Sequence, residues 1–403
     1  MRVLIVHGSG DRTSGEYGVA LEEAEALKTS GVSVHLHVGT GGGTLEGRGL
    51  PMVLKGARRL LSTESYRTMV FLVKDFRPDI VHFHGLLPGI SPLALVACRK
   101  LRVPTVQTLH NFRWVCVEGG LFRQGSYCED CISGGPTNGV RHRCAKGSYA
   151  ASLGLTLTNQ LLVRTRLLFR LVDRFIAVSN FVRDKYVQAG FPLEKIIVKP
   201  NPIDLPEEAG LEECEREGVL FVGRLSPGKG TAMLERLMSQ LDGAASLTII
   251  GDGPDRTLLR KVCECQRLRN VTFKGVQDKD QVRQAMYATA CVVVPSQCGE
   301  ASPRVAAEAM ASKAPVVGSD VGGLAEIIKA SGGGFCVAPR DVGEWLRAVK
   351  SIVDSPGMTR QLGEAGRRHV ERHCSAADSA RRLREIYTQV LASARQSYRR
   401  SDR

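Results

Sequence analysis

The sequence contains no apolar run long enough to cross a bilayer or to serve as a secretion signal. Its most apolar long stretch, residues 153–172, is interrupted by Arg164, Arg166 and Arg170, and charges near the centre of a bilayer are costly. The apolar run at the start, Val3 to Val6, has the length of a buried strand and not that of a signal peptide. These features predict a cytoplasmic protein without a transmembrane helix.

The chain has fewer acidic residues than basic residues. The chain has 403 residues, with 55 Lys+Arg against 41 Asp+Glu, and residues 1–200 alone hold 26 against 15. A basic first half suits an acidic ligand or an anionic membrane surface, although ordinary solubility charge explains it equally well. The length is too great for one ordinary core and fits two domains of about 150 to 200 residues each.

Short β-branched runs bounded by glycine or proline alternate with amphipathic stretches, which is the pattern of βα units around a parallel sheet. The strand candidates of the first half are Arg2–Val6, Val32–His37, Asp79–His84, Thr105–Leu109 and Arg174–Val178. Those of the second half are Val219–Val222, Ser246–Ile250, Val271–Phe273, Cys291–Val294 and Pro315–Val317. The sequence therefore predicts an α/β protein with two doubly wound sheets.

Two prolines in Lys199–Asp204 forbid a continuous helix and fix an extended connection between the halves. We therefore predict a first domain over residues 1–200 and a second over 201–375. Residues 376–403 read as one polar, arginine-rich helix that packs back on the first domain.

The exit of the strand Val219–Val222 is rich in glycine and carries two cations. Gly223-Arg224 and Lys229-Gly230 lie where the carboxyl end of a parallel strand binds phosphate groups in open α/β sheets. Glycines allow the backbone to approach a ligand, and the two cations can neutralise a diphosphate. Such pairs are also common in ordinary turns, so this motif alone is weak.

A second motif places two acids along one helix. Glu300 precedes the helix that begins near Pro303, with Ser302 as its expected N-cap, and Glu308 lies inside the helix. Carboxylates make strong hydrogen bonds to vicinal hydroxyls, and this separation can span the sugar and the ribose of one nucleotide sugar. A helix with an acidic start and one solvated glutamate is the alternative interpretation.

With Gly251-Asp252-Gly253-Pro254 and Pro315-Val316-Val317 to Gly322-Gly323, these motifs occur in the order typical of one family. The chain resembles, nearly from end to end, the family-4 group of retaining GT-B glycosyltransferases with an E-x7-E motif. The resemblance implies two Rossmann-like domains facing a cleft, an acceptor domain followed by a donor domain. It implies a hexosyltransferase of polysaccharide biosynthesis that uses a UDP- or GDP-linked sugar, needs no cofactor for its chemistry, and retains the anomeric configuration.

The resemblance also assigns roles in the donor domain. It implies that Arg224 and Lys229 hold the donor diphosphate beside Gly223. Glu300 would bind hydroxyls of the donor sugar and Glu308 the ribose. The base pocket maps near two further residues, Gly275 and Val276.

Three positions depart from the family pattern or extend it. The glycine pair that follows the first strand in the family is reduced here to Gly15. The family's Gly-Phe-Gly is replaced by Ala301-Ser302-Pro303, which changes the side chains beside the donor sugar. His110, at the end of Thr105–Leu109, matches a family histidine near the donor sugar and acceptor, which implies hydrogen bonding and orientation.

An insert over about residues 111–150 does not resemble a βα unit. It contains Cys116, Cys128, Cys131 and Cys144, and four thiolates with one C-x2-C pair can close a tetrahedral zinc site. A subset of the same glycosyltransferase group has a similar four-cysteine insert. Structural zinc is our prediction, with free thiols, disulfides and an iron–sulfur cluster as alternatives.

The acceptor is indicated least directly. The leucines and arginines of residues 153–174 form either a basic amphipathic surface for anionic lipid, at the inner face of the membrane, or a buried helix with snorkelling arginines. We expect a glycan or a lipid-linked acceptor and no nucleic acid. Other readings are a sugar-nucleotide epimerase, a phosphorylase, a catalytically silent binding protein, or a zinc-ribbon nucleic-acid binder, the last of which leaves the second half unexplained.

Overall fold

A computed structural model describes residues 1–8, 14–39, 62–86, 89–206 and 215–401, the last five of them as backbone only. The chain divides into two compact units. The first unit comprises Met1–Gly120, Glu129–Pro202 and Ala376–Arg403, and the second comprises Leu121–Cys128 and Ile203–Ser375.

The first unit contains a sheet of six parallel strands in the order β2-β1-β3-β4-β7-β8. These strands are β1 (Arg2–His7), β2 (Ser33–Val38), β3 (Ile80–His84), β4 (Thr105–Leu109), β7 (Arg174–Ala177) and β8 (Ile196–Val198). Strands β3 and β4 are buried over their whole length, as expected for parallel strands covered on both faces. The order changes direction between β1 and β3, where an open α/β sheet binds its ligand.

Nine helices of the first unit lie within the described residues. They are α1 (Gly15–Thr29), α2 (Thr63–Phe76), α3 (Leu93–Lys100), α4 (Asp130–Ser133), α5 (Thr137–Arg141), α6 (Tyr149–Arg164), α7 (Leu167–Leu171), α8 (Asn180–Gln188) and α16 (Ala376–Ser401). The last of these returns to the first unit from the far end of the chain. Its side chains Leu383, Tyr387 and Val390 pack in the same core as Val3 and Leu27.

The second unit contains another sheet of six parallel strands, in the order β11-β10-β9-β12-β13-β14. Its strands are β9 (Val219–Val222), β10 (Leu247–Ile250), β11 (Val271–Gly275), β12 (Cys291–Val294), β13 (Val316–Ser319) and β14 (Gly334–Val337). Numbered within the unit, this is the order 3-2-1-4-5-6 of dinucleotide-binding folds. The switch point of the sheet lies between β9 and β12.

Helices pack on the faces of the second sheet, and apolar cores fill the space between them. The helices are α9 (Thr231–Gln240), α10 (Arg256–Gln266), α11 (Lys279–Ala288), α12 (Arg304–Ala311), α13 (Gly322–Ser331), α14 (Val342–Val353) and α15 (Pro356–Cys374). Among the residues that the structure describes, no helix is at once long and apolar enough to pass through a bilayer.

One segment of the cysteine-rich insert does not belong to the first unit, in which we predicted the whole insert to lie. Strands β5 (Phe122–Arg123) and β6 (Ser126–Tyr127) form an antiparallel hairpin within Leu121–Cys128, and this segment belongs to the second unit by its contacts. Arg340 donates to Ser126 Oγ at 2.9 Å. The hairpin therefore packs within the second unit, although the sequence on either side of it belongs to the first unit.

Candidate functional site

The loops after β9 and β12 border the switch point of the second sheet. The first loop runs through a 3₁₀ turn, Pro227–Lys229, and the second runs from Pro295 to Pro303. Gln297 N donates to Gly228 O at 2.9 Å, which ties the two loops together. The sequence motifs around Lys229 and Glu300, which are 71 residues apart, are thus brought to one edge of the sheet.

Lys229 and Glu300 form an ion pair at this edge. Lys229 Nζ lies 2.5 Å from Glu300 Oε1, and Ser296 donates its hydroxyl to the same oxygen at 2.7 Å. The side chain of Glu300 is 11% exposed and that of Lys229 is 39% exposed. The pair therefore presents its ammonium to the surface and keeps its carboxylate inside.

Burial and pairing act in opposite directions on these two groups. Burial favours the neutral form of each, but the opposite charge outweighs burial, so the pKa of Lys229 is raised and the pKa of Glu300 is lowered. Both groups are charged at neutral pH. A cation that is held in place at a switch point is suited to stabilising phosphate oxygens.

Close backbone contacts explain two glycines at this edge. A Cβ on Gly230, whose φ is +80°, would lie 1.7 Å from Pro295 O. A Cβ on Gly323 would lie 2.3 Å from Ala301 O, and the N–H of Gly323 donates to Glu300 O at 2.7 Å. Glycine is therefore required where the β9 and β12 loops pass each other and where α13 approaches Glu300.

The start of α12 differs from the prediction. The helix begins at Arg304, and Pro303 is its N-cap residue with extended backbone and no capping side chain. Ser302 is thus one residue too early to be the cap, because proline fixes φ without supplying a side-chain acceptor. Glu308 lies inside α12 as predicted and pairs with Arg304 at 3.2 Å.

The other donor-binding candidates occupy loop ends of the same sheet. Arg224 lies two residues beyond the end of β9 and is exposed. Gly275 ends β11 with φ +69°, and the next residue, Val276, is 76% exposed. The N–H of Gly251 donates to Gly275 O at 2.7 Å, which links the β10 and β11 exits.

In the first unit, His110 follows β4 and lines a small pocket together with Asn111, Arg113 and Tyr186. Asn111 Nδ2 donates to Glu16 Oε1 at 2.6 Å. Glu16 lies in the first turn of α1, which begins at the predicted residue Gly15.

Behind His110 lies a group of buried polar side chains that were not predicted to lie together. Lys199 Nζ lies 2.7 Å from Glu23 Oε1, and His84 Nε2 lies 3.3 Å from Glu23 Oε2. All three side chains are at most 2% exposed. The alternation Val-His-Phe-His in β3, which places His82 and His84 on one face of the strand, was the available signal.

Glu23, His82 and His84 also have the spacing of metal ligands, with ligand atoms within 4.8 Å of one another. Lys199, however, already supplies a cation to the carboxylate of Glu23. Burial raises the pKa of Glu23, but Lys199 and the histidines outweigh burial and lower it well below the ordinary range. The arrangement is therefore that of a buried ion pair with histidine neighbours.

The cysteines predicted to bind zinc include three in the first unit. Burial, and then the neighbouring Cys116 and Cys144 thiols, raise the pKa of Cys131 to about 11. The backbone N–H groups of Val117 and Gly139 act in the opposite direction by donating to the Cys131 sulfur. These three thiols thus affect one another's charge, and zinc binding by the four insert cysteines stays a prediction. The fourth cysteine, at position 128, ends the hairpin segment in the second unit.

Two protein-family models together match most of the chain. Residues 18–207 match the family model described as Glycosyltransferase Family 4. Residues 207–369 match the model described as Glycosyl transferases group 1. Two glycosyltransferase family models thus match successive parts of the chain.

Curated relatives carry related names. The chain is 29% identical to a glycogen synthase of Mycobacterium tuberculosis over 306 residues, which are 74% of this chain and 65% of that protein. It is 30% identical to a D-inositol 3-phosphate glycosyltransferase of Mycolicibacterium smegmatis over 284 residues, 68% of this chain and 60% of the relative. The chain thus spans somewhat less than two-thirds of the length of these relatives.

Solved structures with the same fold match nearly the whole chain. Anabaena Alr3699/HepE in complex with UDP covers 96% of this chain and is itself covered completely, with a TM-score of 0.67 and 17% identity. Sucrose-phosphate synthase from Thermosynechococcus elongatus covers 98% and is also covered completely, with a TM-score of 0.68 and 20% identity. The protein thus has the GT-B fold with two parallel-sheet α/β domains, as predicted.

Proposed function

We propose that the protein is a retaining glycosyltransferase that moves a hexose from a UDP- or GDP-linked donor to a glycan or lipid-linked acceptor. The observation that carries this proposal is the Lys229–Glu300 pair at the switch point of a sheet with dinucleotide-binding strand order. The domain matches to two glycosyltransferase families support the same activity.

Each donor-site residue has a role that suits its position. Lys229, together with Arg224 after the same strand, neutralises the donor diphosphate. Glu300 accepts hydrogen bonds from donor sugar hydroxyls, and Glu308 accepts them from the ribose. The backbone at Gly275 borders the base, with the exposed Val276 side chain beside it.

The residues stabilise charge and do not need to bond covalently to the sugar. A glycosyl transition state resembles an oxocarbenium ion, and negative charge develops on the departing diphosphate. A preorganised cation such as Lys229 therefore contributes most when the sugar–phosphate bond breaks, by about 3 kcal/mol if it acts like one donor of an oxyanion hole. His110 orients a hydroxyl of the sugar or acceptor.

The acceptor side includes an exposed apolar stripe on α6. Tyr149, Leu153, Leu157 and Leu161 follow one another at four-residue spacing, and Leu157 and Leu161 are 61% and 62% exposed. Beyond the stripe, the chain has three exposed arginines, Arg164, Arg166 and Arg170. We propose that this stripe contacts an anionic membrane at the inner, cytoplasmic face, where a lipid-linked acceptor would lie.

The four cysteines of the insert would hold a structural zinc ion. A closed set of four thiolates leaves no open coordination position, so the ion would shape the loop and supply no catalytic group. Cys116, Cys128, Cys131 and Cys144 are the proposed ligands.

Donor binding tests the proposal directly. A ligand that binds only the folded state raises the melting temperature, so UDP or GDP should stabilise the wild-type protein and Lys229→Ala should lose most of that gain. Lys261→Ala, at an exposed position on α10, is the matched control and should respond like wild type. Equal shifts in the wild type and the Lys229 variant would contradict the assignment of the phosphate site.

Activity and stereochemistry need a second measurement. Incubation with UDP- or GDP-hexose and candidate acceptors should release the nucleoside diphosphate only when an acceptor is present. The anomeric proton of the product should show the same configuration as the donor. Turnover that requires inorganic phosphate would instead indicate a phosphorylase, and conversion of the donor without transfer would indicate an epimerase.

A further inference from the structure

A chain of contacts connects Glu23 to His110 through His84. Glu23 Oε2 lies 3.3 Å from His84 Nε2, and His84 Nδ1 lies 2.9 Å from His110 Nε2. The carboxylate and the middle ring are buried, whereas His110 is partly exposed and lines the pocket at the end of β4. Each imidazole that is neutral carries one proton, so the direction of one hydrogen bond fixes the direction of the next.

Two groups at the start of this chain have fixed hydrogen-bonding roles. The Lys199 ammonium can only donate, and it contacts Glu23 Oε1 at 2.7 Å. The carboxylate of Glu23 can only accept when it is ionised, and the lowered pKa of this group supports that state. An ionised carboxylate 3.3 Å from His84 Nε2 favours a proton on that nitrogen by its charge, although His84 Nε2 and Glu23 Oε2 do not meet hydrogen-bond geometry.

The other ring nearby is compatible with this proton position. His82 Nε2 contacts Thr108 Oγ1 at 2.7 Å, and His82 Nδ1 lies 2.8 Å from the Tyr387 hydroxyl and 3.3 Å from His84 Nε2. A hydroxyl can donate or accept, so His82 Nδ1 can accept the His84 Nε2 proton while both hydroxyls stay satisfied. The Glu23 carboxylate is thus the group that orders the protons along the path to His110.

We infer that Glu23, acting through His84, holds His110 as the tautomer that carries its proton on Nε2 and leaves Nδ1 as an acceptor. With its one proton on Nε2, a neutral His84 accepts at Nδ1, so His110 Nε2 donates. His110 Nδ1 can then accept a hydrogen bond from a hydroxyl group of the sugar or acceptor. Glu23 and His84 are positioning residues in this arrangement, and the assignment of a sugar hydroxyl as the ligand rests on the proposed function.

The electrostatic surroundings favour a neutral His110. Burial, and then the neighbouring His84, lower the pKa of His110 well below its ordinary value, and His7 and Lys199 act in the same direction. Glu23 is the group that opposes them. Because the ring is neutral, its tautomer decides whether it offers a donor or an acceptor to a ligand.

Substitution of Glu23 by glutamine should reverse this order. Lys199 can only donate, so it would keep the carbonyl oxygen of the glutamine amide and leave the NH₂ group facing His84 Nε2. His84 would then accept at Nε2 and carry its proton on Nδ1. His110 would accept at Nε2 and carry its own proton on Nδ1, where a ligand hydroxyl needs an acceptor.

Nitrogen NMR of the full chain labelled with ¹⁵N-histidine reads the tautomer without any substrate. We expect His110, assigned by its loss in His110→Asn, to be protonated on Nε2 in the wild type and on Nδ1 in Glu23→Gln. Glu25→Gln, on the exposed side of the same helix, should leave His110 unchanged. A wild-type His110 protonated on Nδ1 would overturn the inference even if the Glu23 variant failed to fold, and so would the same tautomer in both proteins.

Kinetics provide the second readout. If transfer occurs, Glu23→Gln should lower kcat by about 10- to 100-fold, as a lost orienting group commonly does, with a smaller change in the KM for the donor. The loss should persist at all pH values, because an amide does not titrate. A tautomer change in a protein without transferase activity would support this inference and refute the proposed function, so the two can fail separately.

Discussion

The backbone N–H of Gly323 donates to the carbonyl oxygen of Glu300, with the two atoms 2.7 Å apart. This contact holds Glu300, the residue that we assign to the donor sugar, through a backbone group of helix α13. A Cβ at position 323 would lie 2.3 Å from Ala301 O, and a backbone atom cannot rotate away as a side chain can. The position of Glu300 therefore depends on the absence of a side chain at Gly323.

We predict that Gly323→Ala weakens donor binding and lowers the free energy of unfolding by about 1–3 kcal/mol, as overpacking commonly does. Gly357→Ala is the matched control, because Gly357 also lies in a helix and has open space where its Cβ would be. That variant should be as stable as wild type or up to about 1 kcal/mol more stable. Chemical denaturation and nucleotide-induced melting shifts measure both effects; similar behaviour of the two variants would contradict the prediction.

The Lys229–Glu300 pair predicts a pH dependence of stability. The pKa of Glu300 in the folded protein is below the ordinary value of 4.5, so its contribution is present above that pH and is lost as pH falls through the lowered pKa. We expect Glu300→Gln to cost about 1 kcal/mol near neutral pH, given the partial exposure of Lys229, and progressively less below pH 4.5. Denaturation midpoints of both proteins across this range test it, and a gap that widens with acid would be the wrong sign.

The buried Lys199–Glu23 pair should matter far more for stability than an exposed pair on the same helix. Lys199→Met leaves an uncompensated carboxylate at a site that is 2% exposed, so we predict a loss of about 3–5 kcal/mol. Lys28→Met breaks the exposed contact with Glu25 and should cost less than about 1 kcal/mol. Urea denaturation compares the two, and equal losses would show that the buried charge is compensated elsewhere.

The sheet strands could be predicted where a β-branched run is buried and sharply bounded. Strands β4, β9 and β12 have the predicted ends, because Val, Ile and Thr runs there stop at proline, glycine or a polar loop. The short strands Ile196–Val198 and Gly334–Val337 were not predicted. Both lie at sheet edges, where few residues carry the pattern and the neighbouring strand supplies most of the stabilisation.

Only some residues of the candidate site could be predicted from the sequence. Lys229 and Glu300 could be named because local motifs mark each one, and the fold then brings them together. The contacts of Glu23 with Lys199 and of His82 with Tyr387 join residues 176 and 305 positions apart. No local pattern marks such partners, because they depend on how elements far apart in the chain pack around the first sheet.

The insert cysteines predict a measurable metal content. We expect about one zinc ion per chain in wild type by elemental analysis, and loss of the ion with a lower melting temperature in Cys131→Ser. Because burial and its neighbours hold the pKa of the Cys131 thiol at about 11, binding must displace protons, and zinc should be released as pH falls. Cys265→Ser, an exposed cysteine on α10, is the control and should retain full metal content.

Two results would contradict the zinc prediction. A wild-type protein purified without chelators that contains no zinc, iron or other transition metal would leave the four cysteines as packing residues. Equal melting temperatures for Cys131→Ser and Cys265→Ser would exclude a stabilising role for the cluster.

The apolar stripe of α6 predicts binding to anionic vesicles. Leu157 and Leu161 are among the most exposed leucines of the described residues, and burying two such side chains in a lipid interface favours binding by about 3–6 kcal/mol if burial is complete. We expect the wild type to sediment with phosphatidylglycerol vesicles and the double variant Leu157→Asp/Leu161→Asp to remain in the supernatant. Leu193→Asp, equally an exposed leucine but remote in sequence from the stripe, is the control and should bind like wild type.

Two further comparisons separate lipid contact from other causes. Binding should fall with rising salt and be weak on neutral phosphatidylcholine vesicles, because arginines beyond the stripe attract the anionic surface. The double variant should keep the melting temperature and the UDP or GDP response of wild type, since both leucines are exposed and lie outside the donor unit. Equal sedimentation of the wild type and the double variant would remove the stripe as the membrane contact, and the acceptor would then have to reach the enzyme from solution.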